Sequence, residues 1–458
     1  MAVIAPKNTL THEIRTQSIW KLMIRLSAPA IIGMSVNGIN AFVDAIFVGQ
    51  FIGKEAVAAI SLAFPLTMIT NGFSAMIGVG ASSLLSIAIG SDDETTQKKI
   101  FGTLTALSVI VSTVLSLLGI YFARDLIAFL GGKGEILEMG TLYYRITMIG
   151  AFFRIYAVAI NMLIRAEGKI KEAMALSIVS TLLNMVLDPL FIIVFAWGIA
   201  GAAWATVAAM GVFTILGVLY FVRGHASYPI SLTTFSLEKK LLRPILSIGT
   251  SAMMLQVMFF VQQAVVFKSL AYYGTDWDLA FMGSCYRIFL LVILPTMGFA
   301  QAMQPILGIN FGAKDFQRVK QTFNVFAGSG TVFVLFLWAF ILLFPEMILG
   351  WMLPDATLTP NDVFNFRIML STLPVLPIFL IGTTFFQSIG NAKSAGIVLI
   401  SREVLLYIPF TLALPLWFGV DGIYYAGVPV NLIVIGVVVW MIWREFGKWA
   451  RVEALKTE

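Results

Sequence analysis

The sequence predicts an all-α integral membrane protein: twelve transmembrane helices in two pseudo-symmetric six-helix lobes around a central cleft. Three observations predict it. Of 458 residues, 59% are hydrophobic and 12% charged, where a soluble domain carries about 25% charged residues. Apolar runs of about eighteen residues or more recur along the whole length, each long enough to cross a hydrocarbon layer of about 30 Å. Markers of the first half return in the second at a nearly fixed offset. The runs are helices, because a spanning segment must satisfy its own backbone hydrogen bonds and the alternating pattern of a membrane barrel is absent.

The first half is expected to span at 20–49, 55–89, 99–122, 137–163, 171–196 and 199–222. The first of these holds MSVNGINAFVDAIFVG, where Asn37, Asn40 and Asp44 share a face by their spacing. Gly90 follows the second, and Lys98 and Lys99 stand at the start of the third. The fourth carries Arg145 near its outer end and Arg154 well inside. The fifth reads STLLNMVLDPLFI, with Asn184 one turn before Asp188 and Pro189 directly after it. That proline removes a backbone donor, so a bend beside the carboxylate is expected. The sixth opens with GAAWAT.

The second half is expected at 243–272, 279–310, 319–344, 364–388, 394–417 and 421–444. The seventh span carries Met253, Gln256, Phe260 and Gln263, a stripe suited either to a cavity for flat lipophilic ligands or to packing between lobes. The eighth holds the single Cys285, and Arg287 inside the apolar run. The ninth is apolar throughout, and the tenth repeats the outer Arg as Arg367. The eleventh holds Arg402 and Glu403, neighbours that point apart on a regular helix. The twelfth closes the lobe.

Repetition sets the domain plan. Leu26-Ser27 returns as Leu246-Ser247, Gly90 as Gly312, Arg145-Ile146 as Arg367-Ile368, Gly168 as Gly390, and Gly198 with Gly201 as Gly419 with Gly422, an offset of about 220 to 222 throughout. Each half has an even number of spans, so both enter from one side and their symmetry axis lies along the membrane normal. The expected units are an N-terminal lobe, 1–222, a linker, 223–241, and a C-terminal lobe, 242–458. The linker holds Arg223, His225, Pro229, Lys239 and Lys240. With both termini cytoplasmic, that side carries about twenty-one of the 30 Lys and Arg, and the outer loops about three, Lys54, Arg124 and Lys133. The basic balance is therefore topology, not nucleic-acid binding. Two lobes around a cleft suit alternating access, while a duplicated static bundle is the plainer alternative.

A charge at a helix centre costs roughly 2.5–3.5 kcal/mol on insertion scales, so a retained one wants a partner, a wet cavity or a function. Asp44 and Asp188 are the foremost candidates. Carboxylate, amide and freed carbonyl oxygens suit a proton or a hard cation such as sodium. The alternative is a packing role satisfied by Asn or Ser across an interface. Arg154, Arg287 and Arg402, with Pro189, read as gating or structural residues.

The strings LSAPAIIGMSVNGINAFVDAIFVGQFIGKEAVAAISLAFPL, RAEGKIKEAMALSIVSTLLNMVLDPLFI, QAMQPILGINFGAKDFQRVK and FFQSIGNAKSAGIVLISREVLLYIPF together resemble the multidrug and toxic compound extrusion (MATE) family, in its bacterial MepA-like branch. The resemblance covers nearly the whole chain. It implies an inner-membrane antiporter, without a cofactor beyond its coupling proton or sodium ion, exporting lipophilic and often cationic compounds as a monomer among membrane lipids. In family members with an N-lobe cation site, the residues that build it match Asp44, Asn184, Asp188, Tyr143 or its neighbour Tyr144, and Thr206 here. Acidic residues that some branches carry in helices 7, 8 or 10 are missing, with Ala264 at the repeat position of Asp44, so coupling is expected in the N-lobe alone.

Two other readings compete. A lipid or lipid-linked oligosaccharide flippase shares the two-lobe plan, but wants a cationic row in the cleft where only Arg154, Arg287 and Arg402 are candidates. A membrane enzyme wants a nucleophile or metal constellation, whereas His12 and His225 fall in polar segments and no HExxH occurs.

Overall fold

A computed structural model describes residues 9–228, 237–353 and 358–457, and among them every regular element is a helix. Pro229 of the expected linker lies outside the described residues. In the first half α1 is Ile19–Phe51, α2 Lys54–Gly90, α3 Glu94–Tyr121, α4 the pair Gly134–Ile149 and Ala151–Ala166, α5 Ile170–Pro189 continued by Leu190–Val194, and α6 Ile199–Val222. In the second, α7 is Lys239–Tyr273, α8 Asp276–Gly312, α9 Phe316–Leu343 and α10 Pro360–Leu370 running through Leu373–Val375 into Leu376–Ser388. Then α11 starts as Ala392–Ile400 and widens over Ser401–Tyr407, and α12 joins Asp421–Tyr425 to Gly427–Thr457. Among the described residues eleven spans are long and apolar enough to cross a membrane, and the bent α4 pair, taken as one span, makes a twelfth.

The two halves share details that hydropathy cannot show. α4 bends by 52° at Gly150, where a side chain would meet Val207. α10 breaks at the equivalent Thr372, just before Pro374. Asp93 caps α3 by accepting from Thr95 and Thr96 N–H, and Asp315 caps α9 by accepting from Arg318 N–H. Short helices, Ala123–Phe129 and Pro345–Met352, follow α3 and α9 at matching places. The repeated glycines mark repeated left-handed turns: Gly168 and Gly390 have φ of 88° and 74°, Gly198 and Gly419 56° and 60°.

The halves meet through α2, α7 and α8 with backbones nearly touching. A Cβ on Gly90 would lie 1.9 Å from Ile309 O, and one on Gly312 2.1 Å from Ile87 O. These contacts are reciprocal, each residue meeting the repeat-mate of its partner. A Cβ on Gly80 would lie 2.1 Å from Ile245 O and one on Gly249 1.8 Å from Met76 O, a second close approach, between α2 and α7, that the repeat does not relate. Only glycine permits such approach between membrane helices. The seam lies at the end where the described chain begins and ends, hereafter the terminal end: Arg318 donates to Ile14 O and Gln17 O at 2.7 and 2.6 Å, and Trp449 stacks on Phe316. Toward the other end α2 becomes exposed, at Ile69, Phe64 and Val57.

The described part of the linker is fastened to this terminal end. Tyr220 Oη and Ser227 N–H donate to the Glu167 carboxyl at 2.8 and 2.5 Å, and Lys99 pairs with Glu238 at 3.0 Å. Glu167 follows α4 and is buried, and burial pushes its carboxyl up to about 7 against the pull of Ser227, Lys169 and Tyr220.

Candidate functional site

The one-face spacing on α1 and the turn spacing on α5 bring their polar residues together. Asn40 Nδ2 donates to Asp44 Oδ2 at 3.1 Å and to Asn184 Oδ1 at 2.9 Å, and Asn184 Nδ2 reaches Asp188 Oδ1 at 3.5 Å. One turn along, Thr181 Oγ1 donates to Asn37 Oδ1 at 2.7 Å and Asn37 Nδ2 to Ser177 Oγ at 3.2 Å. The Asp44 and Asp188 carboxyl groups lie within hydrogen-bonding reach of each other.

This network is not closed. Asn40 Oδ1, Asp44 Oδ1 and Asp188 Oδ2 are buried with no hydrogen-bond partner among the described residues. Buried polar atoms in native proteins are nearly always partnered, so these three oxygens, gathered in one small cluster, are open to a proton, a cation or water. A proton placed between two carboxyl groups satisfies two of them, and a hard cation suits all three as oxygen donors.

Of the two tyrosines left open by the sequence, Tyr143 faces the site. It lies near Asp44, Asp188 and Arg154, whereas Tyr144 is buried against Met148 and Gly119. Thr206 is half-buried on α6 and its hydroxyl donates to Ala202 O of its own helix. Arg154 reaches Asn71 Oδ1 of α2 at 3.5 Å. Pro189 closes the regular part of α5, and Leu190–Val194 continues with wider turns, Phe195 N–H donating to Leu190 O. The bend expected from the proline is thus a wide-turn segment directly after Asp188.

The α7 stripe is mixed. Met253, Gln256, Phe260 and Gln263 are all half-buried, and Met253 packs on Gly72 of α2. The buried glutamine is instead Gln262, which lines a small polar cavity with Tyr286, Arg402, Tyr407, Tyr424 and Asn431. Arg402 is buried and donates to Glu403, stacks 4.7 Å above the Phe379 ring and reaches Asn431 Oδ1 at 3.4 Å. The expectation that Arg402 and Glu403 point apart is therefore corrected. They sit in the wide-turn segment Ser401–Tyr407, where consecutive side chains diverge less than on a regular helix. Arg287 is exposed, with no ion-pair partner among the described residues. No group of three or more His, Cys, Asp or Glu that could hold a metal occurs among the described residues.

Known proteins share this architecture and order. Multidrug export protein MepA of Staphylococcus aureus (strain MRSA252) is 24% identical over 409 residues, 89% of this chain and 90% of its own. The MepA of Staphylococcus saprophyticus is 24% identical over 422 residues, 92% of each. Among solved structures, a MATE protein in the bent conformation superposes with a TM-score of 0.92 at 25% identity, covering 98% of this chain and 100% of that one. A multidrug resistance MATE family transporter of the MOP superfamily in an outward-facing conformation gives 0.90 at 25% identity, with 98% and 100% covered. The sequence profile of the MatE family matches residues 29–190 and 248–412, one block in each half. The chain therefore belongs to the MatE family.

Proposed function

We propose that this protein is a multidrug exporter that expels lipophilic, often cationic, compounds in exchange for protons or sodium ions. The observation that carries this reading is the pair Asp44 and Asp188 with their orphaned oxygens. Two carboxyl groups drawn together in a membrane span, with oxygens left to accept, are suited to a proton or a hard cation. The MepA relatives are named for multidrug export, which supports transport over catalysis and over lipid flipping. A flippase would also need a row of free cations in the cleft, yet Arg402 is paired with Glu403 and Arg154 reaches Asn71, which leaves Arg287 alone.

The moving bodies are residues 1–222 and 242–458, joined by 223–241. With the termini in the cytoplasm of a bacterial inner membrane, the glycine seam closes the inner side and the cleft opens outward. Cation binding at Asn40, Asp44, Asn184 and Asp188, beside Tyr143 and Thr206, is coupled to substrate release through the wide turn after Pro189. The Met253, Gln256, Phe260 and Gln263 face lines the substrate path. The protein acts as a monomer with the coupling ion as its only cofactor. One elementary charge moving inward yields about 2.3 kcal/mol per 100 mV. A tenfold outward gradient costs about 1.4 kcal/mol, so one charge suffices.

The test is drug resistance in cells expressing Asp44→Asn or Asp188→Asn at wild-type levels. Both variants should insert normally, since each loses a costly charge, and both should lose resistance. Wild-type resistance in either would overturn the reading.

A further inference from the structure

At the terminal end, the first turns of α11 and the last membrane turns of α12 enclose a groove of about 470 Å³. Its rim carries three cations, Lys393, Arg444 and Lys448, and one carboxylate, Glu445, which Lys448 holds at 2.7 Å. Its floor is apolar, made by Ile397, Val437 and Met441. Trp440 forms one wall, exposed on its outer side, and the Arg444 guanidinium lies 5.7 Å from the centre of its ring. Asn391, at the mouth, caps α11 by accepting from Ser394 N–H.

Cations at the cytoplasmic ends of membrane helices are ordinary. Several of the others are engaged by the chain itself. Lys98 pairs with Glu94, Lys99 with Glu238 and Arg25 with Glu13, and Arg318 binds two backbone carbonyls. Lys169, the repeat-mate of Asn391, donates to His225 O and lies over the Tyr220 ring. The linker thus occupies that side of the first half. In the second half the chain runs straight on through α12, and Lys393 and Arg444 have no ion-pair partner among the described residues.

We propose that this groove binds one anionic phospholipid of the leaflet at the terminal end. The charge order fits that ligand: a net positive rim at the level of the headgroups, a tryptophan at the interface, and an apolar floor leading toward the membrane centre. The phosphate lies between Lys393, Arg444 and Lys448, and an acyl chain runs along Ile397, Val437 and Met441. A free phosphate would leave that floor uncovered, and a zwitterionic lipid would bring its own cation to a cationic rim. The groove lies on the C-terminal half, away from Asp44 and Asp188, and joins the helix that carries Arg402 and Glu403 to the helix that carries Asn431.

The experiment is native mass spectrometry of the full-length protein in detergent, titrated with dioleoyl phosphatidylglycerol or dioleoyl phosphatidylcholine. Wild type should hold one phosphatidylglycerol through activation that strips phosphatidylcholine. Each of Lys393→Gln, Arg444→Gln and Lys448→Gln should weaken retention about fivefold, and the triple variant on the order of a hundredfold. Ile397→Trp fills the floor without touching a charge and should also lose the lipid. Lys98→Gln with Lys171→Gln, two cations outside the groove, should retain it. Equal retention of both lipids by wild type, or wild-type retention of phosphatidylglycerol by the triple variant, overturns the proposal. So does displacement of the lipid by millimolar inorganic phosphate together with undiminished binding in Ile397→Trp, which would make the groove a phosphate site.

Discussion

Gln304 donates to Ser82 at 2.6 Å, and the two residues stand 222 positions apart, the offset of the internal repeat. They are the same place in the two halves, meeting on the pseudo-twofold axis. Ser86 touches Gly308, its own repeat-mate, one turn further along, and Gly90 and Gly312 follow. α2 and α8 therefore form a nearly self-complementary contact of the kind that symmetric dimers make, but within one chain. Such a seam can open by rotation of one half against the other without unfolding either.

The seam makes Gly90→Ala and Gly312→Ala equivalent. Each adds a methyl within about 2 Å of a backbone oxygen on the other half, and overpacking of this sort costs about 1–3 kcal/mol. Both should shift the protein toward a state open at the terminal end, by similar amounts, with helix content unchanged. Distances between spin labels placed on α2 and α8 near that end report the shift. A large effect from one glycine and none from the other would break the equivalence.

Topology gives a second prediction. Ser227 is tied to Glu167 beside the termini, so with Cys285 replaced by Ser, a cysteine introduced at Ser227 should resist an impermeant thiol reagent added outside intact cells. It should react once the cells are opened. Labelling from outside would invert the orientation and with it the direction of the seam.

Pro189→Ala restores the backbone donor that the proline withholds and leaves both carboxylates in place. If cation binding acts through the wide turn Leu190–Val194, the variant should weaken the pH response of the distance between labels on the two halves. An unchanged response would remove Pro189 from the coupling.

The Glu167 anchorage predicts a pH dependence with a fixed sign. Its folded-state carboxyl titrates near 7, above its ordinary value of 4.5, so the folded state holds the proton more tightly. Its favourable contribution is complete below about 4.5 and is lost as pH rises through 7, by roughly 3 kcal/mol. Proteolysis within 229–236 should accelerate across that window in the wild type and stay flat in Glu167→Gln. An identical profile in both would place the titration elsewhere.

The spans were legible because length and apolarity decide what crosses a bilayer, and the paired polar faces of α1 and α5 were legible because helical spacing fixes which side chains meet. Other features were not. Gly150 sits in an apolar run without a proline, so the α4 bend left no mark that hydropathy registers. Tyr143 and Tyr144 differ only by rotation about one helix, as do Gln262 and Gln263, and tertiary packing chooses between them. Arg402 and Glu403 pair only because the helix widens there, and nothing in SREVLLY announces a wide turn. The repeated glycines were visible as markers, but their role needed the position of the opposing carbonyl.

The central claim, that Asp44 and Asp188 couple a cation to export, is tested most directly in proteoliposomes with a pH or a sodium gradient imposed one at a time. With a fluorescent lipophilic cation as substrate, wild type should move it against its gradient under at least one of the two, and Asp188→Asn under neither. Equal transport by wild type and Asp188→Asn, or wild-type transport that ignores both gradients, would contradict it.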